Sequence, residues 1–289
     1  ILNDASANFG APRQAPLRHS YPNFIAVSFH PRYYLAMTCK SITLPLAIIS
    51  FLTSFTFGQT APKTPAPKTP KKILFIGNSY TGGIRNTVID LIKSSPHAKT
   101  QLTFINPGGK TLAFHLSKEE TVEKIKNGKY HFVVLQDQSQ TPALFPDRFK
   151  KAALGLDKII DASGAQTVFY QTWGRRDGDK QNPRTFPSYD SMQNALSKSY
   201  ASTAKACKAT LAPVGDTWSA LRKKDPELGQ ALYAKDGSHP SKKGAYLAAC
   251  VFYVTFFQED PGKINFSSGL PEDESKLIQK LSFSTAKTK

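Results

Sequence analysis

The sequence is poor in several things that would each point to a protein class. It has only three cysteines, Cys39, Cys207 and Cys250, which excludes a disulfide-dense scaffold and a four-thiolate zinc site. Acidic residues are scarce: 21 Asp and Glu stand against 38 Lys and Arg, for a formal charge of +17. No apolar run reaches the roughly 18 residues that would suggest a polytopic membrane protein. Paired histidine spacing is missing among His97, His115, His131 and His239, so no metal and no cofactor is expected. What is present is a 289-residue chain with 40% hydrophobic and 11% aromatic residues. That is ample for a buried core and excludes a wholly disordered chain.

The charge alone would suggest a nucleic acid or an anionic surface as partner. Its distribution argues otherwise. Arg13, Arg18, Arg32 and Lys40 lie upstream, Lys63, Lys68, Lys71 and Lys72 around a linker, and Lys287 and Lys289 at the end. The rest is mostly lysine on helical segments, read as solvated faces. No interleaving of aromatic and basic residues supports nucleic-acid binding, and none is expected.

The chain divides by composition. Met37 to Lys40 is a short basic start, 42–57 is apolar, and Gly58, Gln59, Thr60 and Ala61 are small or polar. That order reads as a secretory signal over 37–58, with 1–36 as an upstream extension that precedes the true start of the gene at Met37, or a disordered segment. Export to the periplasm or the medium follows, with no stable membrane span after cleavage. Residues 59–71 carry APKTP twice, an extended and solvated linker. A domain is expected over 72–260, with 261–289 as a C-terminal tail.

Within that domain short apolar runs alternate with segments of helical spacing. Strands are expected at 73–76, 102–105, 132–135, 167–170 and 210–214. Helices are expected at 87–94, 119–126, 148–162, 189–207 and 242–257. The alternation predicts an α/β fold, a mainly parallel sheet of about five strands with helices on both faces. Ligands in such folds sit beyond the carboxyl ends of the strands. The strand-to-helix loops are therefore where chemistry is sought.

Four of those loops carry it. Gly77-Asn78-Ser79 follows the first strand, where Ser79 is either a nucleophile or a helix N-cap. Asp236-Gly237-Ser238-His239 precedes the last helix of the domain. It offers a general base and the carboxylate that orients it. Gly108-Gly109 follows the second strand and Gln136-Asp137-Gln138-Ser139 the third. A glycine N–H and a glutamine amide could serve as oxyanion donors there.

Together these loops resemble the SGNH/GDSL hydrolase family, whose blocks of Gly-Asp-Ser, Gly and Asp-x-x-His are matched by Gly77-Asn78-Ser79, Gly108-Gly109 and Asp236-Gly-Ser-His239. The resemblance implies a three-layer α/β/α sandwich and a Ser-His-Asp ester hydrolase with Ser79, His239 and Asp236 as its triad. Acetylated carbohydrate is one candidate substrate, and lipid acyl and other small esters are others. In the third block the family shows Gly-x-Asn-Asp, whereas this chain has Gln136-Asp137-Gln138-Ser139. Strand register makes Gln138 the third oxyanion donor beside the N–H groups of Ser79 and Gly109; a different loop path makes it Gln136. The altered block also leaves open a catalytically silent carbohydrate-binding or scaffolding protein on the same fold.

Other residues are weaker candidates. Asn78, Trp173 and Arg175 are read as substrate contacts, Trp173 and Arg175 against the alternatives of core packing and a solvated cation. Asp216 is expected to cap a helix rather than to act as an acid. Cys207 and Cys250 lie on apolar helix faces, where a disulfide and buried free thiols are both open.

Overall fold

The strand at Lys72–Ile76 (β1) reads KILFI, and Ile73, Leu74, Phe75 and Ile76 are all fully buried. A strand with both faces buried belongs in the middle of a parallel sheet. The structure, a computed structural model, describes residues 72–287, so the expected upstream extension, signal and linker lie outside the described residues. β1 pairs in parallel with Gln101–Ile105 (β2) on one side and Phe132–Leu135 (β3) on the other. Gln166–Tyr170 (β4) and Thr210–Ala212 (β5) follow, giving five strands in the order β2-β1-β3-β4-β5. The chain leaves β1 toward one edge and resumes at β3 on the other side. That reversal opens a crevice at the carboxyl ends of β1 and β3.

Alternate residues of β1 define the two helical layers. Ile73 and Phe75 join a core with Ser79–Lys93 (α1), Val214–Lys224 (α7), Lys242–Phe257 (α9) and Glu272–Lys287 (α10). Leu74 and Ile76 join the opposite core with Leu112–Ser117 (α2), Glu119–Asn127 (α3), Pro146–Ala162 (α5) and Tyr189–Cys207 (α6). Two short helices, Thr141–Leu144 (α4) and Pro226–Ala231 (α8), complete the set. The expected α/β/α sandwich with a five-stranded parallel sheet is the observed fold. No helix among the described residues is long and apolar enough to cross a membrane.

Three departures from the sequence reading have physical causes. α1 starts at Ser79, well before the expected 87, because Gly82 and Gly83 sit inside it. A Cβ on Gly83 would lie 2.8 Å from Cγ of Pro240, and one on Gly82 2.8 Å from the Asn106 amide. The glycines let two loops press onto the helix, which offsets their low helix propensity. β5 ends at Ala212, and α7 begins at Val214 after Pro213. Residues from 261 are not a tail: α10 packs along α9 and α7. Gln279 Nε2 donates to the Tyr246 hydroxyl, and Lys243 pairs with Glu274, each at 2.7 Å. The buried face of α10 is Ser275, Ile278, Gln279, Ser282 and Ala286, too polar to register as an apolar stripe.

Candidate active site

The first turn of α1 holds Ser79. Gly77 must lack a side chain here, since a Cβ would overlap Oγ1 of Thr81 and Oε1 of Gln136. Its carbonyl binds Nε2 of the buried His115 at 2.8 Å. Asn78, not Ser79, caps the helix: Asn78 Oδ1 accepts the Tyr80 N–H at 3.1 Å. Asn78 Nδ2 donates to the Lys110 carbonyl at 2.9 Å, and the Asn78 N–H donates to Gln136 Oε1 at 3.0 Å. Asn78 is only 2% exposed. The expectation that it contacts substrate is therefore corrected: its side chain is used up in holding the turn. Ser79 follows as the first helical residue, partly exposed.

The second loop is built around Asp236. Asp236 Oδ1 accepts the N–H groups of Ser238 and His239 at 2.9 and 3.0 Å, and Oδ2 lies 2.6 Å from His239 Nδ1. His239 Nε2 lies 2.8 Å from Ser79 Oγ, across 160 residues of sequence. Ser79, His239 and Asp236 are thus brought into one chain of hydrogen bonds. Burial pushes the Asp236 carboxyl up, but the bonds from His239 and the two N–H groups outweigh it and hold the group below its ordinary range. An ionised Asp236 keeps the proton on Nδ1 and leaves the Nε2 lone pair facing the serine hydroxyl. The loop is anchored from both sides, Ala234 N–H to the His239 carbonyl at 2.9 Å and Ser241 N–H to the Leu232 carbonyl at 2.8 Å.

The glycine loop carries Gly109 at φ +68, a left-handed conformation that suits glycine. The carbonyl of its neighbour Lys110 accepts from the Asn78 amide, so this loop is tied to the turn that carries Ser79. The two glutamines depart from expectation. Gln136 is fully buried; its Oε1 accepts from Asn78 N and Thr81 Oγ1, and its Nε2 donates to Asn78 Oδ1 and the Asp137 carbonyl. It is a scaffold for Ser79 and no free donor. Gln138 turns back on its own loop: Oε1 accepts Gln140 N–H at 2.7 Å and Thr141 N–H at 3.2 Å, while Nε2 lies 3.4 Å from Gln140 Oε1. The Gln136 carboxamide is thus taken up in structure at both ends, whereas Gln138 is held through Oε1 and its Nε2 makes one long contact.

Trp173 is fully buried and is corrected from substrate contact to wall. It stacks between Tyr80, at 4.9 Å, and Trp218, at 4.0 Å. Arg175 does face a cleft of about 260 Å³ that it shares with Asp177, Lys180, Asp236, Ser238 and His239. Arg175 Nη1 donates to Asp179 at 2.7 Å. Asp179 also gathers Gln140 Nε2, Asn182 Nδ2 and Gln181 N–H. Asp216 does not cap α7, which Pro213 precedes; Asp216 instead lies in its first turn and accepts from Ser197 Oγ at 2.6 Å. Cys207 and Cys250 are both buried, and no disulfide joins them.

A search of solved structures finds a protein from Slackia heliotrinireducens, assigned to the SGNH hydrolases. It is 30% identical to this chain over 96% of its own length and 63% of this one, with a TM-score of 0.54. The chain belongs to the SGNH hydrolase superfamily. The same fold recurs, at 16% identity, in a DUF4886 family protein from Bacteroides uniformis (TM-score 0.62, 74% of this chain and 93% of that one). It recurs again, also at 16% identity, in an acetyl xylan esterase (TM-score 0.51, 63% and 98%). No protein-family model and no curated protein matches the chain. For an SGNH hydrolase, the first and last blocks are the expected meeting point. The residues that sequence reasoning missed are Tyr80, Gln136 as scaffold, His115 and Asp179. Gln136 had one available signal: it directly follows the all-buried run FVVL.

Proposed function

We propose that this SGNH hydrolase cleaves carboxylic esters, with Ser79 as nucleophile, His239 as general base and Asp236 as the group that orients it. The reading rests on one observation, the continuous path from Asp236 Oδ2 through His239 to Ser79 Oγ, with links of 2.6 and 2.8 Å. His239 Nε2 takes the proton of Ser79 as Oγ bonds to the carbonyl carbon. The tetrahedral oxyanion is held by the N–H groups of Ser79 and Gly109. As it collapses, the ester C–O bond breaks, and His239 returns the proton to the departing alcohol. Water then adds to the acyl-enzyme by the same route, releasing acid and free Ser79.

The cleft beside His239 is walled by Arg175, Asp177, Lys180, Asp236, Ser238, the His239 ring and the backbone of Gly178 and Gly237, with no hydrocarbon side chain among them. A long acyl chain would gain little burial there. We therefore favour a short acyl group on a polar alcohol, acetylated carbohydrate being the leading case. The likeness to an acetyl xylan esterase agrees with this at the level of fold. Export directed by residues 37–58 completes the proposal, and the N-terminal sequence of the secreted product tests it.

The deciding experiment compares the full chain with Ser79→Ala on acetylated sugars, short-chain esters and a long-chain ester. Turnover of acetyl esters that vanishes in Ser79→Ala at unchanged Tm is expected. Retained turnover in the variant refutes the nucleophile. Absence of both turnover and fluorophosphonate labelling in the parent favours a binding protein on this fold.

A further inference from the structure

The residue after the nucleophile is a tyrosine whose side chain does not point to solvent. Tyr80 is 2% exposed, and its hydroxyl lies 2.7 Å from Ser238 Oγ, in the loop that carries His239. The same hydroxyl interacts with Ser139 in the loop after β3. Its ring meets the His239 imidazole edge-on, with centroids 5.3 Å apart. Trp173 stacks on the Tyr80 ring and donates Nε1–H to the Ser238 carbonyl at 3.0 Å. Ser238 is thus fixed through its hydroxyl by Tyr80, through its carbonyl by Trp173 and through its N–H by Asp236.

Core packing alone would be served by phenylalanine, which could keep both ring contacts. Only the hydroxyl reaches the loops after β3 and before α9, and burying it would be unfavourable without those partners. Burial raises the Tyr80 pKa, so the group stays protonated and keeps its donor. Tyr80 leaves the same helical turn as Ser79. A bond from Tyr80 to the residue before His239 therefore fixes base and nucleophile in one frame.

We propose that Tyr80 is a positioning residue for ester hydrolysis: its hydroxyl, bonded to Ser238, sets the approach of His239 Nε2 to Ser79 Oγ. The proposal rests on the reading of Ser79, His239 and Asp236 as the catalytic groups.

The test uses Tyr80→Phe, Ser238→Ala and the double variant of the full chain, with a chromogenic acetyl ester. Each single change should lower kcat about tenfold, the effect of one lost neutral hydrogen bond at the reacting geometry. KM of Tyr80→Phe should stay within about twofold, because the buried Tyr80 hydroxyl makes no contact with substrate. The double variant should be no slower than the slower single, because both changes remove one bond. A readout that needs no turnover is the low-field proton on His239 Nδ1, assigned by its loss in His239→Gln. It should be sharp in the parent and broadened or shifted in Tyr80→Phe. A Tyr80→Phe protein with parental kcat and an unchanged Nδ1 proton overturns the proposal. So does a double variant whose losses simply add and follow a fall in Tm. If the parent hydrolyses no ester, the catalytic reading fails, and the proton signal alone then decides whether Tyr80 positions His239.

Discussion

Gln136→Ala is the perturbation that most directly tests how the nucleophile turn is held. The side chain is fully buried and forms four hydrogen bonds, two at each end. Two of its partners have alternatives: Asn78 Oδ1 keeps the Tyr80 N–H, and the Thr81 hydroxyl can rotate. The Asn78 N–H and the Asp137 carbonyl are fixed backbone groups and would be stranded. At about 1–3 kcal/mol for each buried group left unpaired, the loss is about 2–6 kcal/mol. Water entering the polar gap would recover part of it, leaving about 3 kcal/mol. A domain of this size loses roughly 2–4 °C per kcal/mol, so Tm should fall by about 6–12 °C. Turnover should fall at least about tenfold at temperatures where the variant is folded, since Ser79 follows directly on the freed Asn78. Thermal melts read by circular dichroism and acetyl-ester assays at low temperature measure both. Gln136→Glu sharpens the result. A carboxylate there would face Asn78 Oδ1 and the Asp137 carbonyl, so its folded-state pKa would rise. Stability would be present below the unfolded pKa and lost as pH climbs through the folded one. Parental Tm and activity in Gln136→Ala would refute the claim that this amide is structural and would return it to the pool of oxyanion donors.

Asp137 offers a second pH test. Burial raises its carboxyl to about 6, against the bonds it accepts from the N–H groups of Gln138 and Leu112 and the more distant charge of Arg148. A raised folded-state pKa means its favourable contribution is complete below about pH 4 and is lost as pH rises through about 6. The Tm of Asp137→Asn should therefore gain on that of the parent as pH rises from 4 to 7; a difference independent of pH would refute the burial argument. Cys207 and Cys250 are 3% and 0% exposed, and burial pushes the Cys250 thiol up. Neither should react with a thiol-specific disulfide reagent until the protein unfolds, and rapid labelling of Cys207 or Cys250 in the native chain would contradict the packing of α6 and α9.

What the sequence made legible follows the physics of burial. Apolar runs between polar loops marked all five strands; β1, β3 and β4 are apolar because strands buried on both faces cannot carry polar side chains cheaply, while the edge strands β2 and β5 are only partly buried. The residues of the proposed triad were legible because hydroxyl, imidazole and carboxylate stood in loops beyond strands, where α/β folds do their chemistry. Polar residues that support rather than react were illegible. An amide offers the same donor to a backbone carbonyl as to an oxyanion, and only burial tells the two uses apart. Gln136 and Asn78 both fell on the structural side of that division. Trp173 was ambiguous for the parallel reason that an indole can stack on a sugar or on Tyr80 and Trp218. α10 escaped notice because a helix can bury serines and an alanine against a core already covered with aromatics. One consequence bears on chemistry. Gln136 ties the end of β3 to the Ser79 turn, and Gln138 Oε1 accepts the N–H groups of Gln140 and Thr141 where α4 starts. In the proposed mechanism oxyanion stabilisation rests on the backbone N–H groups of Ser79 and Gly109, whose loops Asn78 ties together through the Lys110 carbonyl.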